Sequence, residues 1–98
     1  MGIIEGLNKA FDNRVRIGIM SALVVNDSLD YNSLKELLGV TDGNLASHMK
    51  ALEKIDYVKV NKQFVGRKPK TTYVVTELGR NEFKAHLNTL EKIVKGEI

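Results

Sequence analysis

The 98-residue chain contains no cysteine and a single proline. Without thiols there is no disulfide and no thiolate metal site. No apolar run is long enough to cross a bilayer. The first eleven residues include Glu5 and Lys9 and do not make a signal peptide. A cytoplasmic location is therefore the expectation, with no membrane partner. Also lacking are a phosphate-cradling glycine loop, a nucleophile–base pair and a metal-ligand cluster. The chain is not expected to be an enzyme, and no cofactor or metal is expected. The two histidines, His48 and His86, fall on different helices and do not make a ligand set.

What is present fits one folded domain spanning residues 1–98. Apolar residues make up 43% and charged residues 28%, and the net charge is +3. The charge is unevenly spread. Residues 1–58 carry 6 basic and 8 acidic side chains, whereas residues 59–98 carry 9 and 4. Five basic residues and no acidic one lie within Lys59–Lys70. A one-sign cluster on so short a segment is the footprint expected of phosphate contacts.

Periodicity supplies the elements. Ile3, Ile4, Leu7 and Phe11 recur at helical spacing and predict a short amphipathic helix over 2–11. Asp12 or Asn13 can cap a second helix, Arg14 to about Val25. It buries Val15, Ile19, Ala22 and Leu23, and Gly18 marks the close approach of another backbone. Leu29–Tyr31 reads as a very short strand. Asn32 or Ser33 caps a helix over Leu34–Leu38, and Gly39 ends it in a left-handed turn. Thr41 or Asp42 then caps a helix through Ile55. Its apolar stripe is Leu45, Met49, Leu52 and Ile55, and its outer face holds Asn44, Ser47, His48, Ala51 and Lys54. Helix, tight glycine turn, helix is the helix-turn-helix arrangement, over about 32–55. Tyr57–Phe64 and Thr71–Thr76 read as two strands of a hairpin, joined by a loop at Val65–Lys70 that holds Pro69. Thr76 caps a final helix, Glu77 to about Lys95, with Leu78 anchoring its first turn. Phe83, Leu87, Leu90 and Val94 form a stripe along it. That stripe either meets a second subunit, the favoured expectation, or folds back on Ile3, Leu7 and Phe11.

Several stretches carry a family likeness. Ser47-His48-Met49-Lys50-Ala51-Leu52-Glu53-Lys54-Ile55-Asp56-Tyr57-Val58 resembles the Ser-x-His-Leu-x-x-Leu-like pattern of ArsR- and MarR-type regulators. Asp56 stands where glycine is usual, and aspartate tolerates a left-handed backbone better than most residues. Arg14-Val15-Arg16-Ile17-Gly18-Ile19-Met20 looks like the first core helix of that group. Phe64–Tyr73 is similar to the wing of small bacterial and archaeal winged-helix regulators, and Thr76-Glu77-Leu78-Gly79-Arg80 resembles the start of their last helix. The likeness covers about residues 13–94.

It implies an α+β, mainly α, winged helix-turn-helix fold with a two-stranded β-hairpin wing (57–76) and long terminal helices (2–11 and 77–95) for dimerisation. It also implies a prokaryotic, homodimeric, sequence-specific regulator of transcription on a palindromic double-stranded DNA operator. Thr41, Gly43, Asn44, Ser47, His48, Lys50 and Lys54 would then meet the major groove. Lys62, Arg67, Lys68, Lys70 and Thr71 of the wing would meet the backbone or minor groove. Ile3, Ile4, Leu7, Phe11, Phe83, Leu87, Leu90 and Val94 would form the dimer interface. The cysteine ligands of the metal-sensing ArsR members are missing, and the resemblance leaves a small-molecule effector open. The competing reading is a winged-helix protein-interaction or assembly module, which an uninterrupted basic hairpin tip disfavours.

Overall fold

The computed structural model describes residues 2–97, with Met1 and Ile98 outside that range. Two 3-10 turns, Ile3–Gly6 and Lys9–Phe11, lead into α1 (Arg14–Val25), β1 (Leu29–Asp30), α2 (Tyr31–Leu38), α3 (Asp42–Lys54), β2 (Val58–Val65), β3 (Lys68–Val75) and α4 (Glu77–Val94). The strands form one antiparallel sheet in the order β1-β3-β2. This is a mainly helical winged helix-turn-helix.

The expected helix over 2–11 is not there. Leu7 and Asn8 are extended and separate the two 3-10 turns. Asn8 explains the break. Its backbone N–H donates to His86 Nδ1 (3.0 Å), and its side-chain amide donates to the Tyr57 hydroxyl (2.9 Å). Those bonds to distant elements hold its backbone out of a helix, and its carbonyl oxygen then caps the second turn through the Ala10 N–H.

Asn13 caps α1, accepting from the N–H groups of Val15 and Arg16. α1 is the hub of the core, burying Val15, Ile19, Met20, Ala22 and Leu23. Gly18 approaches a side chain rather than a backbone: a Cβ there would lie 3.0 Å from a Leu38 methyl. The cap of α2 is Asp30, not Asn32 or Ser33. Its carboxylate accepts from the Ser33 N–H at 2.7 Å, so the helix starts at Tyr31. That same bond, with help from the Ser33 hydroxyl, holds the Asp30 carboxyl below its ordinary value. Gly39 takes the left-handed conformation (φ 63°) that closes α2. Thr41 caps α3 through the Asn44 N–H.

α3 buries Leu45, Met49 and Leu52 against the core. Ile55 does not extend that stripe, because the helix stops before it and Asp56 turns left-handed (φ 63°). Thr76 caps α4 through the Gly79 N–H (2.8 Å), and its hydroxyl donates to the Asp56 carbonyl (2.7 Å). Gly79 rather than Leu78 seats the first turn. Gly79 is packed so closely on the Tyr57 carbonyl that any Cβ would collide with it, while Leu78 is exposed.

The terminal regions also correct the expected dimer surface. Phe11 (1% exposed) and Phe83 (4%) meet edge to face, 5.2 Å apart, inside the chain's own core and are not available to a partner. Leu7 is half-buried, whereas Ile3, Ile4, Leu87, Leu90 and Val94 stay exposed.

Candidate nucleic-acid interface

α3 is fixed from below and bare above. Its three buried residues hold one face, and the Tyr31 hydroxyl donates to the Asp42 carbonyl at 2.8 Å, tying down its first turn. A Lys35–Asp42 ion pair (3.0 Å) lies beside this bond, but both side chains are solvated and the pair adds little. Thr41, Gly43, Asn44, Ser47, Lys50 and Lys54 are exposed. An open groove of about 380 Å³ runs along this helix between Ser47, Lys50, Glu53, Tyr31 and Tyr73. Burial raises the Tyr73 hydroxyl above its ordinary value of 10.0, with Glu53 and Tyr31 adding to the effect.

His48 differs from its neighbours. It is half-buried, and its Nδ1 accepts from Arg16 Nε at 3.0 Å. With Nδ1 committed as an acceptor, the ring proton is assigned to Nε2. The imidazole is thus held in one orientation with an N–H donor on its far side. Sequence reasoning placed Arg16 only in a core helix. The pair is separated by 32 residues, and nothing local to either residue marks the contact.

The wing fills the expected span, but its strand pairing runs further toward the tip than expected. Its strands pair continuously from Val58↔Val75 to Val65↔Lys68, so the loop is only Gly66–Arg67. Gly66 has φ +67° and Arg67 does not share a positive φ. This is the type II′ pattern, which suits a two-residue hairpin. Pro69 lies within β3, opposite Phe64. In such a hairpin the closing Val65–Lys68 pair exchanges hydrogen bonds and the next pair does not. The N–H that Pro69 lacks would therefore point away from β2, on the side where β1 reaches only Thr72 and Tyr73. Lys62, Arg67, Lys68 and Lys70 are all exposed, while Thr71 is half-buried. Register places Lys62 on one face of the ribbon and Lys68 and Lys70 on the other, so the charge flanks both sides.

His86, the second histidine, is buried on α4 against Phe11 and is occupied by the Asn8 N–H. Among the described residues no three potential ligands gather as a metal site.

A family model described as a winged helix DNA-binding domain matches residues 15–94. The chain belongs to the winged-helix DNA-binding domain family. A protein of Methanocaldococcus jannaschii is 34% identical over 87 residues, covering 89% of this chain and 95% of the relative. The solved structure of a transcriptional regulator homologue from Pyrococcus horikoshii is 31% identical, with a TM-score of 0.85 over 96% of this chain and 91% of that one. Reduced AbfR, solved bound to DNA, has the same fold at 17% identity, with a TM-score of 0.75 over 92% of this chain and 62% of that one.

In this winged-helix domain the exposed outer residues of α3 share one helix, and the wing lysines and arginine share one ribbon. His48 alone among the expected α3 residues is engaged with another element. No helix among the described residues is long and apolar enough to cross a membrane.

Proposed function

We propose that this winged-helix domain is a sequence-specific transcriptional regulator that binds double-stranded DNA as a homodimer. α3, capped by Thr41, enters the major groove and the wing grips the backbone or adjacent minor groove. The observation that carries this reading is the pairing of a rigidly seated, solvent-facing α3 with a projecting hairpin whose charged residues are all basic. The hairpin supplies phosphate contacts and hence most of the affinity. Asn44, Ser47 and the Nε2–H of His48 supply base discrimination, with Thr41, Gly43, Lys50 and Lys54 around them. Lys62, Arg67, Lys68, Lys70 and Thr71 form the grip.

A second copy covers the exposed stripe of Leu87, Leu90 and Val94 together with Ile3 and Ile4. Two-fold symmetry then sets two α3 helices in successive major grooves, about 34 Å apart, on a palindromic operator.

Binding to genomic duplexes measured against salt tests the core of this reading, and no salt-sensitive binding to any duplex would refute it. Arg67→Ala is expected to weaken all sequences alike and to lower the salt slope by about 1. His48→Ala is expected to relax preference at one base position by about 1–3 kcal/mol. Light scattering checks the dimer, and a monomer at micromolar concentration rules out the two-fold operator.

A further inference from the structure

The wing carries a feature that phosphate binding does not use. Phe64 is 75% exposed, close to the tip of the ribbon, with the smaller Val65 (61%) beside it on the opposite face. The register partner of Phe64 is Pro69, also exposed, so the two rigid apolar side chains stand side by side on one face. Nearer the body, that face continues through Lys62↔Thr71 to Val60↔Tyr73, which β1 flanks. Beyond Thr72 no third strand supports the ribbon, and the free part projects by about 13 Å. No acidic residue occurs between Asp56 and Glu77.

We propose that Phe64 and Pro69 form an apolar wedge that the wing drives into the DNA minor groove, partly opening a base step; this rests on the DNA-binding reading above. The surroundings select this occupant. The aromatic ring shares its face with Lys62, and with Arg67 in the turn and Lys68 and Lys70 on the opposite face every charge on the ribbon is positive, which suits a polyanion and repels a second copy of the same tip. Pro69 and the lysines also oppose strand addition by another protein's edge. The undeformed minor groove is about 6 Å wide and 7.5 Å deep. Two strands about 4.8 Å apart, with a phenyl and a pyrrolidine ring on one face, exceed that width. Entry therefore requires the groove to widen, and a wedge between base steps widens it by kinking the duplex toward the major groove. Such a kink wraps the duplex toward α3 in the adjacent major groove. The sequence preference of the wing then falls on pyrimidine–purine steps, which unstack most easily, without a hydrogen bond to any base.

The test uses a duplex selected by the wild-type chain from a random-sequence pool, with 2-aminopurine placed in turn at the steps flanking the α3 sites. Wild-type protein is expected to raise the probe's fluorescence at one flanking step by unstacking it. Phe64→Ala is expected to abolish that rise and weaken binding about tenfold. Its salt slope and its melting temperature should be unchanged, because Phe64 neither carries charge nor supports the core. The chain has no tryptophan, so Phe64→Trp places a single indole at the wedge, and DNA is expected to quench it by stacking. A duplex that binds tightly with no probe response, or the same response with Phe64→Ala, overturns the wedge and leaves the regulator reading intact. A lower solution mass of free Phe64→Ala protein also overturns it, because the face would then belong to a second copy. Failure to select any duplex overturns both readings.

Discussion

α3 and the wing both present polar side chains to solvent, yet they are held in opposite ways. α3 is clamped by three buried side chains, the Thr41 cap and the Tyr31–Asp42 bond at its start, and the Arg16–His48 contact. The distal ribbon is held only by its own cross-strand pairs. The difference matches two tasks. Reading a base edge needs side chains fixed to a fraction of an ångström, because hydrogen bonds weaken steeply with misalignment. Neutralising phosphates needs only proximity, so a compliant arm suffices.

The contrast can be broken first at the clamp. Leu45 is fully buried, and Leu45→Ala is expected to cost about 2–5 kcal/mol in denaturant unfolding. Thr41→Ala removes one cap and is expected to cost about 1 kcal/mol, with α3 fraying at the very turn that carries Asn44. Lys62→Ala on the ribbon should change stability by less than about 0.5 kcal/mol, while reducing the salt dependence of DNA binding. If Lys62→Ala destabilised the fold as much as Leu45→Ala, the division into clamp and arm would be wrong. The smallest effect is expected from acid. The Asp30 carboxyl is held below its ordinary 3.8 by Ser33. Its cap therefore stabilises α2 fully above that pH, and the contribution is lost as the pH falls through the lower folded value. Asp30→Asn keeps a capping oxygen and should remove that part of the pH dependence of melting.

Much of this organisation was legible in the sequence. Gly39, Thr41, Asp56 and Thr76 act within a few residues of themselves, so local pattern located each of them. The element order and the basic hairpin were legible for the same reason. The Asp30 cap of α2 was a local miss, since Asn32 and Ser33 offer the same chemistry two and three residues on, but most of what escaped was set at long range. Asn8 breaks the N-terminal helix because its partners are His86 and Tyr57, 78 and 49 residues away. Phe83 shares the helical stripe of Leu87, Leu90 and Val94, but its ring meets Phe11 while theirs stay outside. A stripe gives the side of a helix and not the point along it where the core ends. By its local pattern Pro69 reads as loop, because a proline in a strand is penalised on average. Here the missing donor would face open space, which register alone reveals. In the candidate interface, exposure followed the pattern for most of α3, and only the Arg16 contact of His48 lay beyond it.

The Tyr57 carbonyl, described above as the surface on which Gly79 rests, has a consequence for how this chain tolerates change. It also accepts the Thr76 N–H at 3.0 Å, while the Tyr57 N–H donates to the Leu52 carbonyl at 2.9 Å. The end of α3, both feet of the hairpin and the start of α4 are thus sewn together at one residue. The hairpin between Val58 and Val75 is anchored by that stitch and by β1, which pairs with Tyr73 and Thr72, and its distal part is a closed loop. Residues can be added or removed at its tip, in pairs that preserve the two-residue alternation, without altering the angle between α3 and α4. Wing length is in that sense a free parameter of the molecule, adjustable to a different groove while the reading helix keeps its place.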